Sequence, residues 1–242
     1  MNVSLRTIVD NLRQDKLYLF GAIYVLVFML AAAVINYFTW TPDIVIVGEV
    51  TNLFWLLWIS LYVPSFIFVW FSDFSLTEFG IALNKKVMIF VALTIVSSAW
   101  FYFQNPEIWL QLSWSSSLAE AFARTGEELL FRGFVYALIL RLFKEAKKPH
   151  LWAIILSSVL FVLPHTQVFL PEHQTPVFQL LLLALIFAYF RHKTGSILLS
   201  ITFHVLIKSD LVGVLFSWGI YLFFLLWSYA TNDLTKPRQA IT

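Results

Sequence analysis

The chain contains no cysteine, which excludes disulfide scaffolds, thiolate metal ligands and thiol nucleophiles and leaves the redox compartment unmarked. Charge is also scarce. Asp, Glu, Lys and Arg together make up 12% of 242 residues, about half the share found in a water-soluble domain. The net charge of +2 is small and scattered, which argues against nucleic acid as a partner. No internal repeat or low-complexity linker divides the sequence, so it reads as a single domain over residues 1–242. The opening stretch, MNVSLRTIVDNLRQDK, lacks the basic start, short apolar run and small-residue cleavage site of a signal peptide. The first hydrophobic span is therefore expected to remain as an anchor.

What the chain has in abundance is apolar surface: 60% hydrophobic residues, 25 Phe, 10 Trp and a mean hydropathy of +0.81. That composition predicts an all-α polytopic membrane protein, because helices satisfy their own backbone groups in lipid. Eight apolar segments stand out: Leu17 to Phe38, Leu53 to Phe71, Val87 to Phe103, Ser115 to Leu140, Leu151 to Leu163, Val177 to Phe190, Ser196 to Ile207 and Leu211 to Tyr229. About eight transmembrane helices enclosing a polar cavity are expected, three of them short against the ~20 residues a span needs. Under that count Arg6, Arg13, Lys16, Lys85, Lys86, Arg141, Lys144, Lys147, Lys148, Arg191, Lys193, Lys236 and Arg238 share one side, and the opposite loops hold acids and Lys208. The positive-inside rule then places both termini in the cytoplasm. Residues 1–110 read as peripheral helices and 111–230 as the core that bears the chemistry, joined near the polar stretch from Ser72 to Lys86.

One apolar stretch holds ionisable groups, SSSLAEAFARTGEELLFRGFVYALIL at residues 115 to 140. Charge at membrane depth costs ~2.5 to 3.5 kcal/mol per residue and marks a functional site by default. Glu128 and Arg132 are i and i+4, on one helix face with the acid first, the favourable order for an ion pair. Glu127 is ~100° around the helix, so Arg132 does not pair squarely with both acids and Glu127 is left to face a cavity as a general base. Arg124 lies within a turn of either acid and is placed to neutralise one of them. Gly126 and Gly133 are expected to admit a neighbouring helix at close range.

His165 follows the apolar run LSSVLFVLP and His204 is embedded in SILLSITFHVLI. A single imidazole in such a setting is usually a hydrogen-bonded core residue, but two of them with a buried carboxylate pair can activate water or hold a metal. Glu127, His165 and His204 form a legitimate zinc set, although the sequence has no HExxH. His150, His173 and His192 lie among charges, prolines or loop residues and are expected to be solvated.

Glu127-Glu128-Leu-Leu-Phe-Arg132 fits EExxxR, Phe161-Val-Leu-Pro-His165 fits FxxxH, and His204 opens a third motif, HxxxN or HxxxD. In motif order and spacing the chain resembles the CAAX protease and bacteriocin-processing (CPBP, or Abi) family, which includes the type II CAAX prenyl endopeptidases, over about Ala119 to Leu211. The resemblance implies an intramembrane endopeptidase in which Glu127 and His165 activate water, Glu128 and Arg132 brace the helix, and His204 completes the cavity and helps to stabilise the oxyanion. It implies no cofactor and glutamate-activated water in place of zinc. At one position the chain departs from the pattern, because Lys208 stands where the family has Asn or Asp. An ammonium only donates and is costly to bury, so Lys208 is either a cationic oxyanion donor or the sign of an altered site. A helix from Ser196 that ends near Ile207 puts His204 close to the outer face, whereas the family resemblance favours one that runs on past Lys208 and Asp210 toward Gly213.

The leading expectation is a membrane-embedded hydrolase that cleaves a peptide, lipidated tail or leader near the bilayer surface, in a bacterial cell membrane. Lys208 favours the alternative, a non-proteolytic membrane scaffold or bacteriocin-immunity factor that retains the fold. A proton-relay transporter would also bury charge, but the halves show no repeated helix pattern.

Overall fold

A computed structural model describes residues 16–40, 62, 75–105, 114–165, 177–208 and 211–230. These form α1 (Lys16–Trp40), α2 (Lys85–Gln104), a continuous helix α3 over 114–142, α4 (Pro149–Val162), α5 (Val177–Thr194), α6 (Leu198–Lys208) and α7 (Leu211–Ala230), with no strand among the described residues. Helix α3 has three parts: α-helical Trp114–Glu128, a π-helical stretch Leu129–Val135 and α-helical Tyr136–Leu142. Helices thus cover seven of the eight expected apolar segments. The remaining one, Leu53 to Phe71, lies outside the described residues apart from Tyr62.

Local chemistry sets several boundaries. Pro149 opens α4, where its fixed φ suits the first turn and its missing N–H is no loss. Gly195, at φ 68°, closes α5 and donates its N–H to the Arg191 carbonyl at 3.0 Å, the left-handed cap that glycine adopts without a Cβ penalty. After α6 the chain reverses. Trp218 Nε1 donates to Thr202 Oγ1 at 2.9 Å, whereas sixteen residues of unbroken helix would hold the two ~24 Å apart. The expected continuation of α6 past Lys208 toward Gly213 is therefore overturned, and His204 sits one turn from the end of its helix.

Helix α3 is the axis of the bundle, in contact with α4, α5, α6 and α7, and every residue from Leu129 to Leu140 is buried. The periphery is apolar. Phe103 is 75% exposed, Phe178 71%, Val96 66% and Trp100 65%, while Glu128, Arg132, Ser157, Ser158, Ser200, Thr202 and Ser217 are buried. That arrangement inverts a water-soluble protein and is consistent with a membrane protein. Val177–Thr194 is long and apolar enough to cross a membrane, and Leu19–Val34, Pro149–Val162, Leu198–Ile207 and Gly213–Leu226 are shorter apolar helices.

At one end of the bundle the turn before α2, the α3–α4 turn and the α5–α6 turn meet. Arg141 grips both Glu78 carboxylate oxygens at 2.8 Å, Asn84 Nδ2 donates to the Thr194 carbonyl at 2.5 Å, and Tyr221 Oη accepts the Ala82 N–H at 2.8 Å. Gly80, at φ 84°, lets this turn pass under Arg191. A Cβ on Gly133 would lie 3.2 Å from the Phe79 carbonyl oxygen. The element admitted beside Gly133 is thus a backbone turn, not the helix expected from the sequence, because Phe79 and Phe134 also stack there at 6.0 Å.

Candidate active site

Glu127 and Glu128 end the α-helical part of α3, immediately before the π-helical stretch. Such insertions change the phase of the residues that follow and are frequent at functional sites. The i, i+4 relation between Glu128 and Arg132 survives it: Glu128 Oε1 and Arg132 Nη1 are 3.2 Å apart, both side chains fully buried. Arg132 Nη2 also donates to the Ala184 carbonyl at 3.3 Å, which ties α3 to α5.

The two acids divide as follows. Arg124 Nη1 pairs with Glu127 Oε1 at 2.7 Å, so of the two acids within its reach in the sequence, the nearer takes it. Glu128 Oε1 also meets His204 Nδ1 at 2.7 Å. A carboxylate only accepts, so Nδ1 carries the proton in that bond. The other ring nitrogen, Nε2, then faces Glu127 Oε2 at 3.6 Å. That gap is too long for a direct hydrogen bond and short enough for one water to touch both atoms. Glu127 Oε2 is buried and has no hydrogen-bond partner among the described residues.

His165 lies just past α4, with Nδ1 2.8 Å from the Phe161 carbonyl oxygen. Since a carbonyl only accepts, Nδ1 is the donor and Nε2 of the neutral ring keeps its lone pair. Phe161 does more than its place in a motif suggests. The Arg132 guanidinium lies 4.2 Å from its centroid, and the His165 and His204 rings approach at 4.8 Å and 5.9 Å. A desolvated cation–π contact of this kind contributes ~2 kcal/mol. Phe187 closes the opposite side, 5.4 Å from the His204 ring.

Glu127, Glu128, Arg132 and His204 are thus brought into direct contact, and His165 joins them through Phe161. Lys208 ends α6, and its side chain lies outside the described residues, as does Asp210. Among the described residues no three His, Asp or Glu side chains gather as a metal ligand set, and Arg124 occupies one oxygen of the acid that zinc would need. Sequence reasoning missed the π-helical stretch and the role of Phe161. Of the three histidines expected to be solvated, His150 and His192 are partly exposed with their rings 4.6 Å apart, where α4 and α5 pack together, and His173 lies outside the described residues.

Comparison with known proteins locates the same region. Residues 109–209 match the family model described as "Type II CAAX prenyl endopeptidase Rce1-like". No curated protein and no solved structure matches the chain.

Proposed function

We propose, for a chain whose residues 109–209 belong to the CAAX protease family, hydrolysis of a peptide bond inside the membrane by water activated at Glu127. The family is one of membrane-embedded proteases, and the observation that carries this assignment is the asymmetry of the two acids. Glu128 is spent on Arg132 and His204, whereas Glu127 presents an unpartnered oxygen to the gap before His204. In this reading Glu127 Oε2 takes one proton from a water whose other hydrogen is held by His165 Nε2, and the water oxygen attacks the carbonyl carbon of the scissile bond. His204, in its doubly protonated form with Nδ1–H on Glu128 and Nε2–H toward the carbonyl oxygen, stabilises the resulting oxyanion, and the proton taken from water passes to the leaving nitrogen as the C–N bond breaks. Glu128 and Arg132 orient His204 without touching substrate. The substrate is a peptide, lipidated tail or leader presented at the bilayer surface, and no metal enters the reaction.

A second reading, a scaffold or immunity factor without turnover, rests on Lys208 in place of Asn or Asp. Cleavage of a quenched fluorogenic peptide panel by the purified protein separates the two. Turnover that disappears in Glu127→Ala and His165→Ala supports the peptidase. A silent wild type that gains turnover in Lys208→Asn marks a disabled site and favours the scaffold.

A further inference from the structure

A second constellation lies ~12 Å along α3 from Glu128, at the end of the bundle where the basic turns meet. A cavity of about 200 Å³ is lined there by Glu78, Tyr136, His150, Arg191 and His192. Its charge is lopsided. The Glu78 carboxylate is consumed by the bidentate grip of Arg141, while Arg191, only 7% exposed, spends Nη2 on the Glu78 carbonyl at 2.6 Å and keeps a buried Nε with no partner among the described residues. His192 Nδ1 is likewise buried without a partner, and His150 Nδ1 meets Tyr136 Oη at 3.2 Å. Buried polar atoms without a partner, here Arg191 Nε and His192 Nδ1, are costly unless a ligand completes them.

The same two histidines also line a second, apolar space of about 430 Å³ between α4 and α5, with Leu151, Ile154, Leu185, Ile186 and Tyr189. Leu151, Ile186 and Tyr189 are exposed on the lipid-facing surface. Lys193 stands over the Tyr189 ring, its Nζ 5.4 Å from the centroid, which puts a further cation beside the groove. A polar cavity that holds the Arg191 guanidinium and an apolar groove thus share the His150–His192 wall.

We infer that this joint site binds an anionic phospholipid, with the phosphate of the headgroup held by Arg191 and His192 and an acyl chain lying between α4 and α5. The chemistry fits both halves: a guanidinium matches phosphate oxygens, and basic pockets between helices at the positively charged membrane face suit anionic headgroups. A soluble phosphate would use the cavity and leave the groove unused. The site is separate from the acids of α3 and binds whether or not the chain cleaves peptides.

Native mass spectrometry tests this on the full chain released from micelles that hold phosphatidylglycerol and phosphatidylcholine in equal amount. Phosphatidylglycerol is expected to be retained in preference by about fivefold for each cation engaged. The preference should vanish in Arg191→Gln and in His192→Ala. Ile186→Trp, which fills the groove and removes no charge, should lower phosphatidylglycerol retention without touching the cavity. Arg191 also holds the turn at Glu78, so if Arg191→Gln does not fold, the other two variants decide. Equal retention of the two lipids by the wild type overturns the proposal. Displacement of the lipid by inorganic phosphate, with Ile186→Trp without effect, also overturns it and assigns the cavity to a free anion.

Discussion

Exchanging each acid of the pair for its amide, Glu127→Gln and Glu128→Gln, separates chemistry from support. The amide keeps size and shape but lacks the charge. At Glu127 the loss removes the base that takes the proton from water, a contribution of about 10² to 10⁴ in rate, or roughly 3 to 5 kcal/mol of barrier. Stability should change less than at Glu128, because the Arg124–Glu127 pair is partly exposed, at 21% and 14%, where Glu128 and Arg132 are fully buried. At Glu128 the order inverts. Glu128 and Arg132 are both fully buried, and leaving the guanidinium without its counter-charge costs about 3 to 5 kcal/mol of stability. The bond to His204 Nδ1 weakens from charge-assisted to neutral, ~1 to 1.5 kcal/mol, so turnover should fall by only ~5- to 10-fold. The assay is kcat/KM on a quenched peptide in nanodiscs, alongside thermal unfolding followed by Trp fluorescence. Glu127→Gln should be folded and nearly inactive, and Glu128→Gln unstable and partly active. The opposite pairing, a stable but inactive Glu128→Gln beside an active Glu127→Gln, would refute the division of roles.

Two further outcomes follow from the geometry. Prolonged treatment with EDTA should leave turnover unchanged, since Glu127 Oε1 is held by Arg124; activity lost to the chelator and restored by zinc would show a metal-dependent site instead. Gly80→Ala should destabilise the protein more than Gly195→Ala. Each forces a side chain into the left-handed region, at ~1 to 2 kcal/mol, but only at Gly80 would the new Cβ fall 2.5 Å from Arg191 Nε, with nothing within 4 Å at Gly195. Equal losses of thermal stability in the two variants would show that Arg191 is not packed against the turn.

Much of the helical layout was legible in the sequence because hydrophobic length and helix periodicity are local properties. The apolar segment from Val177 predicted α5, and the one from Leu151 predicted α4, to within a few residues. The pairing of Glu128 with Arg132 was equally local, a matter of four residues on one helix. Where two groups lay within one turn of Arg124, spacing left the partner open, and side-chain packing chose Glu127.

The amino-acid sequence by itself determined that this chain is helical and strongly apolar and carries two acids, an arginine and two histidines in or beside its apolar segments, because composition and spacing bear directly on those properties. Only the tertiary structure decided that His204 binds Glu128 through one nitrogen and faces Glu127 with the other, that Phe161 carries the Arg132 cation, that α6 stops and the chain turns back, and that His150 and His192 wall a second cavity. Each of these depends on the rotation and register of one helix against another. Interhelical packing sets those, and no periodicity within a single segment encodes them.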